Sequence, residues 1–369
     1  MLRCSWRRTV LLIWSCLAVL PCAGQSRDPL PVPDVRGFQT LKCDFHMHTV
    51  FSDGEVWPTT RVAEAWREGL DAIAITDHAG YNPHKPDVSV DLNRPQALAA
   101  PLASRLGILL VPAVEVMEGD THFNILFVTD PSAFWGLKLV DALKQGRAQN
   151  AFMFWNHPGW KQTADWFPNI DALYKERLFD GVELVNGRSF YAPAFPWIEE
   201  KKLAILSNTD VHSPTLPGYQ NRSRPLTLVF SRTRDLDGIK EALTARRTAA
   251  WMGGELWGSD EMLGGLWDGA VAVKTPELSL RIAGPQAAIE FQNRSAIPFQ
   301  VRLVKAPAWL QTGNFELSPE RIVARAIQAS KDAPEGIQSV TLELEVTNLH
   351  TAPGRNLSVR LPLKVNITK

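Results

Sequence analysis

His46-Met47-His48 closes an apolar run and is followed by Thr49 and by Asp53-Gly54. Side chains two apart on extended backbone point to the same face. Two imidazoles at that spacing can therefore grip one cation from a single strand end. Asp210-Val211-His212 repeats the geometry, and His78, Glu115, His122 and His157 lie between the two. Six of the eight histidines in the chain fall in these places. Imidazole and carboxylate together suit Zn, Mn or Fe, whereas an all-oxygen set would point to Mg or Ca. A bridging carboxylate such as Glu115 or Asp210 lets two cations sit about 3.5–4 Å apart, where they lower the pKa of a bound water and stabilise charge on transferring phosphoryl oxygens. The spacing predicts a metal site holding more than one cation.

Such residues act together only if the fold carries them to one end. Apolar runs predict strands over 41–45, 72–76, 108–111, 123–128, 151–155, 181–185, 204–207 and 226–230. Helical periodicity falls between them, over 60–70, 95–106, 136–149, 193–202 and 235–246. This α/β alternation favours parallel strands buried beneath helices. His46 and His48 follow the first strand, His78 the second, His157 the run 151–155, and Asp210 and His212 the run 204–207. Chemistry gathered at the carboxyl ends of parallel strands is the pattern of an α/β barrel, expected here over 40–269, with an open sheet as the alternative. From residue 270 the period changes to two, over 278–282, 288–291, 299–303, 340–346 and 357–361, with Gly and Pro between. That predicts a small Ig-like β-sandwich over 270–369. It holds no clustered carboxylates of metal-binding type, so packing or contact with an envelope partner is its expected role. Residues 25–39, with Pro29, Pro31 and Pro33, read as an extended lead-in.

Lysine plus arginine equals aspartate plus glutamate at 39 each in 369 residues, so the chain lacks the basic footprint of a nucleic-acid binder. Residues 1–24 combine Arg3, Arg7 and Arg8, an apolar run over 10–20 and the small-residue stretch Cys22-Ala23-Gly24. These are the parts of an export signal cleaved near Gly24. The run is too short to span a bilayer, and no transmembrane helix is expected in the mature chain. An ordinary secretory signal is preferred to twin-arginine export, and Pro21 argues against lipid attachment at Cys22. Cleavage leaves 36 basic against 39 acidic residues and Cys43 as the one cysteine, so no intrachain disulfide can form. A periplasmic or secreted protein stabilised by its core and its metals is expected, with Cys43 as a small buried hydrophobe.

Asp44-Phe-His46-Met-His48-Thr49 with Ser52-Asp53-Gly54, then Ile75-Thr76-Asp77-His78, Pro112-Ala-Val-Glu115, Asn156-His157-Pro158 and Asn208-Thr-Asp210-Val-His212 resembles the polymerase and histidinol phosphatase (PHP) family over about 40–255. The resemblance implies a distorted (β/α)7 barrel, a trinuclear metal centre and phosphoesterase activity. Carried over by position, it implies that His46, His48, Glu115 and Asp210 hold a first cation. Asp53, His78 and His212 would hold a second, with Glu115 bridging to a third on His122 and His157. Two or three divalent ions (Mn, Zn or Fe) follow.

Asp77 is expected to orient a neighbour without binding metal. His84 and His350 read as solvated. Phosphate needs a cationic partner beyond the metals; Lys161, Arg188 and Arg222 each follow a strand, and Arg188 is preferred. Trp155, Trp160 and Trp166 either wall a base or aryl group or pack internally. The reading is an exported phosphoesterase hydrolysing a small phosphomonoester or phosphodiester, including a nucleotide, through a metal-activated hydroxide attacking in line. The proton for the leaving oxygen comes from Asp210, His212 or solvent. No Gly-x-Ser-x-Gly elbow or Gly-x-x-x-x-Gly-Lys loop is present. Two alternatives stay open: a metallohydrolase acting on an amide or lactone, and a non-catalytic envelope binding protein.

Overall fold

The computed structural model describes residues 26–215 and 224–369. The expected signal over 1–24 and Arg222 lie outside them. Strands β1 (Gln39–Asp44), β2 (Ala72–Ile75) and β3 (Leu109–Glu118) run parallel, with Cys43 opposite Ala72 and Ala74 opposite Val111. Helices α1 (Pro58–Arg67) and α2 (Asn93–Leu106) make the crossovers. Proline at the start of α1 loses no hydrogen bond there, and α2 ends on Gly107 in the left-handed conformation that stops a helix. Strand β2, Ala-Ile-Ala-Ile, is buried at every residue, as a central parallel strand must be.

The chain then departs from simple alternation. Strand β3 runs on past Val111 and turns back as β4 (Thr121–Leu126), which pairs antiparallel with β3 and with β5 (Phe152–Trp155). A 3-10 turn over Pro131–Phe134 and helix α3 (Leu139–Ala148) join β4 to β5. Helix α4 (Pro168–Lys175), β6 (Gly181–Asn186), the short β7 (Ser189–Phe190), α5 (Ala194–Lys201) and β8 (Ala204–Asn208) follow. Both β5 and β8 pair parallel with β6. Beyond their ladders, the extensions of β1 and β8 meet in a parallel bridge between Met47 and Val211. Strand β9 (Leu226–Ser231) pairs antiparallel with β1. Helix α6 (Leu236–Thr244), capped by the Asp235 carboxylate, leads to the hairpin of β10 (Thr248–Met252) and β11 (Glu255–Gly258) and to α7 (Asp260–Ala270). The sequence reading did not anticipate α4, α7 or the β10–β11 hairpin.

The C-terminal strands are β12 (Val271–Val273), β13 (Glu277–Arg281), β14 (Ala287–Asn293), β15 (Phe299–Lys305), β16 (Leu310–Gln311), β17 (Phe315–Leu317), β18 (Ile322–Ala329), β19 (Gly336–Ala352) and β20 (Arg355–Thr368). Strands β12, β14, β18 and β16 form one four-stranded sheet; the others join the sheet that continues from the N-terminal strands. The join is parallel pairing of β11 with β19, Leu256 opposite Leu349 and Trp257 opposite His350. One apolar cluster crosses the same boundary, holding Leu263, Leu266 and Trp267 of α7 with Phe291, Phe299 and Leu344. His350 is thus not a solvated surface residue. It is partly buried, stacks on Trp257 at 5.3 Å and meets Glu255 at 2.7 Å through Nε2. The arrangement is a mixed α/β fold. No helix of the described residues is long and apolar enough to cross a membrane.

Candidate metal centre

The end of the sheet where β1, β2, β5 and β8 finish gathers the nine expected donor residues. His46 and His48 leave β1 on the extension paired with Val211. The turn after them is tied to Asp77, whose carboxylate accepts from Thr49 N (2.7 Å), Thr49 Oγ1 (2.6 Å) and Ser52 Oγ (2.7 Å). Asp77 therefore spends its oxygens on the loop, as expected. Gly54 closes that turn where a Cβ would lie 2.6 Å from the His48 carbonyl carbon, so no other residue fits. His78 bridges to Glu115 beyond β2. The β3–β4 reversal explains His122: β4 runs backwards, so its first residues share an end with the carboxyl ends of the parallel strands. Met117 faces His122 in that hairpin, and Glu115, two residues earlier, shares the face. His157 and Asp210 sit at φ 29° and 52°, backbone conformations uncommon for non-glycine residues that concentrate at functional sites.

The donor atoms form four overlapping groups: His48, Asp53, His78 and His212; His46, His48 and Asp210; His46, Glu115 and His157; and His78, Glu115 and His122. Within each, the atoms lie within 4.8 Å of one another. Asp210 Oδ1 is 3.1 Å from both His46 Nε2 and His48 Nε2, and Glu115 Oε2 is 3.4, 3.2 and 3.0 Å from His46 Nε2, His48 Nε2 and His78 Nδ1. Glu115 Oε1 is 3.0 Å from His122 and 3.7 Å from His157. Asp53 Oδ1 reaches His212 Nε2 at 3.2 Å and His78 Nε2 at 3.5 Å.

These residues fit divalent cations on two counts. His46 Nε2, His48 Nε2, His78 Nδ1, Asp53 Oδ1 and Glu115 Oε2 are buried without a hydrogen-bond partner. Native proteins rarely tolerate such groups unless something completes them. Metal bonds of about 2.0–2.2 Å also place neighbouring ligands roughly 3–3.5 Å apart, the spacing seen here. Charge is strongly coupled. Burial opposes a proton on His78, but Glu115 and Asp53 outweigh it and push its pKa up to about 10. Burial likewise opposes a charge on Glu115, yet His78 and His46 hold its carboxyl well below the usual range. Burial resists ionisation of Asp210 too, and is outweighed by His46 and His48. A cation replacing those protons satisfies the same carboxylates.

Sequence reasoning missed Glu183. Fully buried on β6, it accepts four bonds, each 2.9 Å: His46 Nδ1 and Asn208 Nδ2 at Oε1, the His157 amide and Asn186 Nδ2 at Oε2. Its signal was a carboxylate in the middle of an otherwise apolar strand. Asn156 likewise steers Glu115, donating to Oε1 at 2.8 Å.

The other residues singled out by the sequence take varied positions. Arg188 is exposed in the β6–β7 turn and makes no hydrogen bond or ion pair among the described residues. The Lys161 ammonium lies 3.7 Å over the Trp160 ring and 3.9 Å from Asp120. The wall of three tryptophans reduces to one: Trp155 is buried and packs with Trp166, 6.2 Å away, inside the fold. Trp160, 36% exposed, alone stands at the site, its ring 5.0 Å from His122 and 5.3 Å from His157. His84 is partly buried in the loop before α2. Cys43 is buried, which pushes its thiol pKa up.

No protein-family model matches the chain. Among solved structures it is similar to a two-domain protein from Bacteroides vulgatus containing a predicted PHP-like metal-dependent phosphoesterase. The two are 35% identical, with 91% of this chain and 99% of that one covered at a TM-score of 0.83. A likeness to an amidohydrolase from Chromobacterium violaceum, 17% identical over 47% of this chain and 88% of that one at a TM-score of 0.36, is too low to bear an argument. A stretch of 45 residues is 51% identical to an uncharacterised protein of Methanocaldococcus jannaschii, a match that spans 12% of this chain and 21% of that protein.

Proposed function

Because the chain belongs to the PHP-like family of metal-dependent phosphoesterases, we propose that it hydrolyses a small phosphomonoester or phosphodiester at a multinuclear centre. The observation that carries this reading is the set of four overlapping donor groups with buried, unpartnered atoms. Strands β1–β6 and β8 are read as a distorted (β/α)7 barrel within 40–269, and the strands over 270–369 as an Ig-like sandwich. His46, His48, Glu115 and Asp210 would hold one cation. Asp53, His78 and His212 would hold a second, and Glu115, His122 and His157 a third, each Mn, Zn or Fe. When bound, such cations supply a nucleophile near neutral pH and neutralise phosphoryl oxygens.

The protein's own groups do the rest. Glu183 fixes the tautomer of His46 by accepting from Nδ1, leaving Nε2 as the donor atom. The Asp210 main-chain carbonyl does the same for His212 at 2.8 Å. Asp210 is kept ionised and is the acceptor for a proton from the attacking water. His212, whose side chain is 36% exposed against 0–7% for the other imidazoles of the set, gives Nδ1 to the Asp210 carbonyl and would give Nε2 to the cation, so the proton for the leaving oxygen would come from solvent beside it. Arg188, free at the β6–β7 turn, is the partner proposed for phosphate. The basic start and apolar run at the N-terminus support export to the periplasm or beyond, and the C-terminal strands are assigned contact with an envelope partner.

Elemental analysis of the purified protein, with phosphate release from p-nitrophenyl phosphate and from its diester, tests the proposal. Two or three equivalents of transition metal and chelator-sensitive release are expected. Turnover of carbonyl esters, amides or lactones with no phosphate ester cleaved would overturn it.

A further inference from the structure

Arg61 on α1 is 1% exposed, and it does not point into the centre. All its donors are used. Nε donates to His48 O at 2.9 Å; Nη1 to Ser213 O and Glu64 Oε2, each at 2.9 Å; Nη2 to Val211 O at 3.1 Å and His212 O at 2.6 Å. Four of the five bonds end on main-chain carbonyls of two segments, at His48 and at Val211–Ser213, and both segments carry donor residues. The backbone joins those segments sparsely: Asp210 N to His46 O at 2.8 Å, His48 N to Val211 O at 3.0 Å and Glu55 N to His212 O at 2.9 Å. Arg61 takes over where that short ladder stops.

We propose that Arg61 is a positioning residue that sets the spacing of the His46/His48 and Asp210/His212 segments, and so the affinity for the cations those segments hold, one with His46, His48 and Asp210 and one with His212. The inference rests on the metal-centre reading above. A guanidinium is rigid and planar, with five donors in a fixed fork; here that fork meets carbonyls from both segments at once. The His48 and His212 rings on the far side stack at 4.2 Å with 20° between their planes. Holding the two backbones fixes that spacing. Carbonyls turned toward Arg61 are also withdrawn from the cations, which leaves imidazole and carboxylate as the donors. Lysine cannot substitute, because one ammonium with three protons cannot reach four carbonyls on two segments. Glu115 on β3, His122 on β4 and His157 after β5 form no hydrogen bond or ion pair with Arg61 among the described residues, and a cation on them should be indifferent to the change.

The test is equilibrium titration of the chelated full chain with Co(II), read by visible absorption and by the number of ions bound, for wild type, R61K and R61A. The cations held by the two segments should weaken by about tenfold or more in both variants, the scale of lost outer contacts to metal ligands, while the one on Glu115, His122 and His157 keeps its affinity. Guanidinium ion at millimolar concentration should restore those cations in R61A. Circular dichroism checks folding; should R61A fail to fold, R61K decides. Wild-type affinities for every ion in R61K, or equal weakening of all ions, overturn the proposal. Wild type that binds no Co(II) overturns the metal-centre reading and this inference with it.

Discussion

In the C-terminal strands a buried polar side chain is completed by the loops around it. Asn293 donates to the carbonyls of Ile297 and Leu317 at 2.7 and 3.1 Å and accepts from the Ser295 amide at 2.9 Å. Asn348 donates to the Pro298 carbonyl at 2.9 Å and accepts from the Gln300 amide at 2.9 Å. At the ends of β1, β2 and β3 the opposite holds: His46 Nε2, His48 Nε2, His78 Nδ1 and Glu115 Oε2 are buried and left without such partners. A buried polar group left unpaired costs about 1–3 kcal/mol. One region therefore completes these side chains with the chain's own groups. The other holds a deficit that an outside ion can cancel, and the two should respond to different perturbations.

The largest separation is expected from Phe291→Ala. Phe291 is 1% exposed and stacks on Phe315 at 5.0 Å; removing the ring should cost about 3–5 kcal/mol of stability. Denaturant melts would show that loss, with metal content per folded molecule unchanged. Glu183→Gln should do the reverse. A glutamine amide would face donors where the carboxylate now accepts four bonds, so metal affinity should fall about 10–100-fold. Stability of the chelated protein should change far less, which metal titration alongside melting would reveal.

The smallest effect is one of pH, and it differs between loaded and stripped protein. Without cations, the raised pKa values of His46, His78 and His212 stabilise the fold fully below about pH 6.5. That contribution is lost as pH climbs toward about 10, the value for His78. The depressed carboxyls of Asp53, Glu115 and Asp210 act the other way, lending stability that disappears in acid. Stripped protein should therefore melt at falling temperature from pH 6.5 to 9. Metal binding expels those protons, so the rise in Tm on loading should widen over the same interval. Parallel Tm curves with and without chelator would defeat this account.

Much of this was legible in the residues because the chemistry sits at strand ends. His46, His48, His78, His157, Asp210 and His212 each follow an apolar run that did become a strand, so sequence position alone brought them to one end of the fold. His122 was placed by the family resemblance with little motif around it, and why it reaches the site was hidden: the reversal of β4 depends on a hairpin whose apolar runs look like any parallel strand. Glu183 showed only as a carboxylate within an apolar strand, because its four donors come from four separate segments, at His46, His157, Asn186 and Asn208. Trp155 and Trp166 pack internally, as the abundance of tryptophan favours, but that Trp160 alone of the three stands at the site could not be told from composition. In the C-terminal region, period two marked five strands, but β16, β17 and β18 were too short or too weakly alternating to register.

The pairing of β11 with β19 has a mechanical consequence. Strands hydrogen-bonded edge to edge cannot swing on a tether, and Trp257 wedged between Phe190 and His350 (4.8 and 5.3 Å between ring centres) stiffens the seam further. Traction on the C-terminal hairpin would pass as shear through β11, β10 and β9 into β1, the strand from which His46 and His48 emerge. An anchor fastened to the far end of this molecule would hold its catalytic mouth at a fixed orientation.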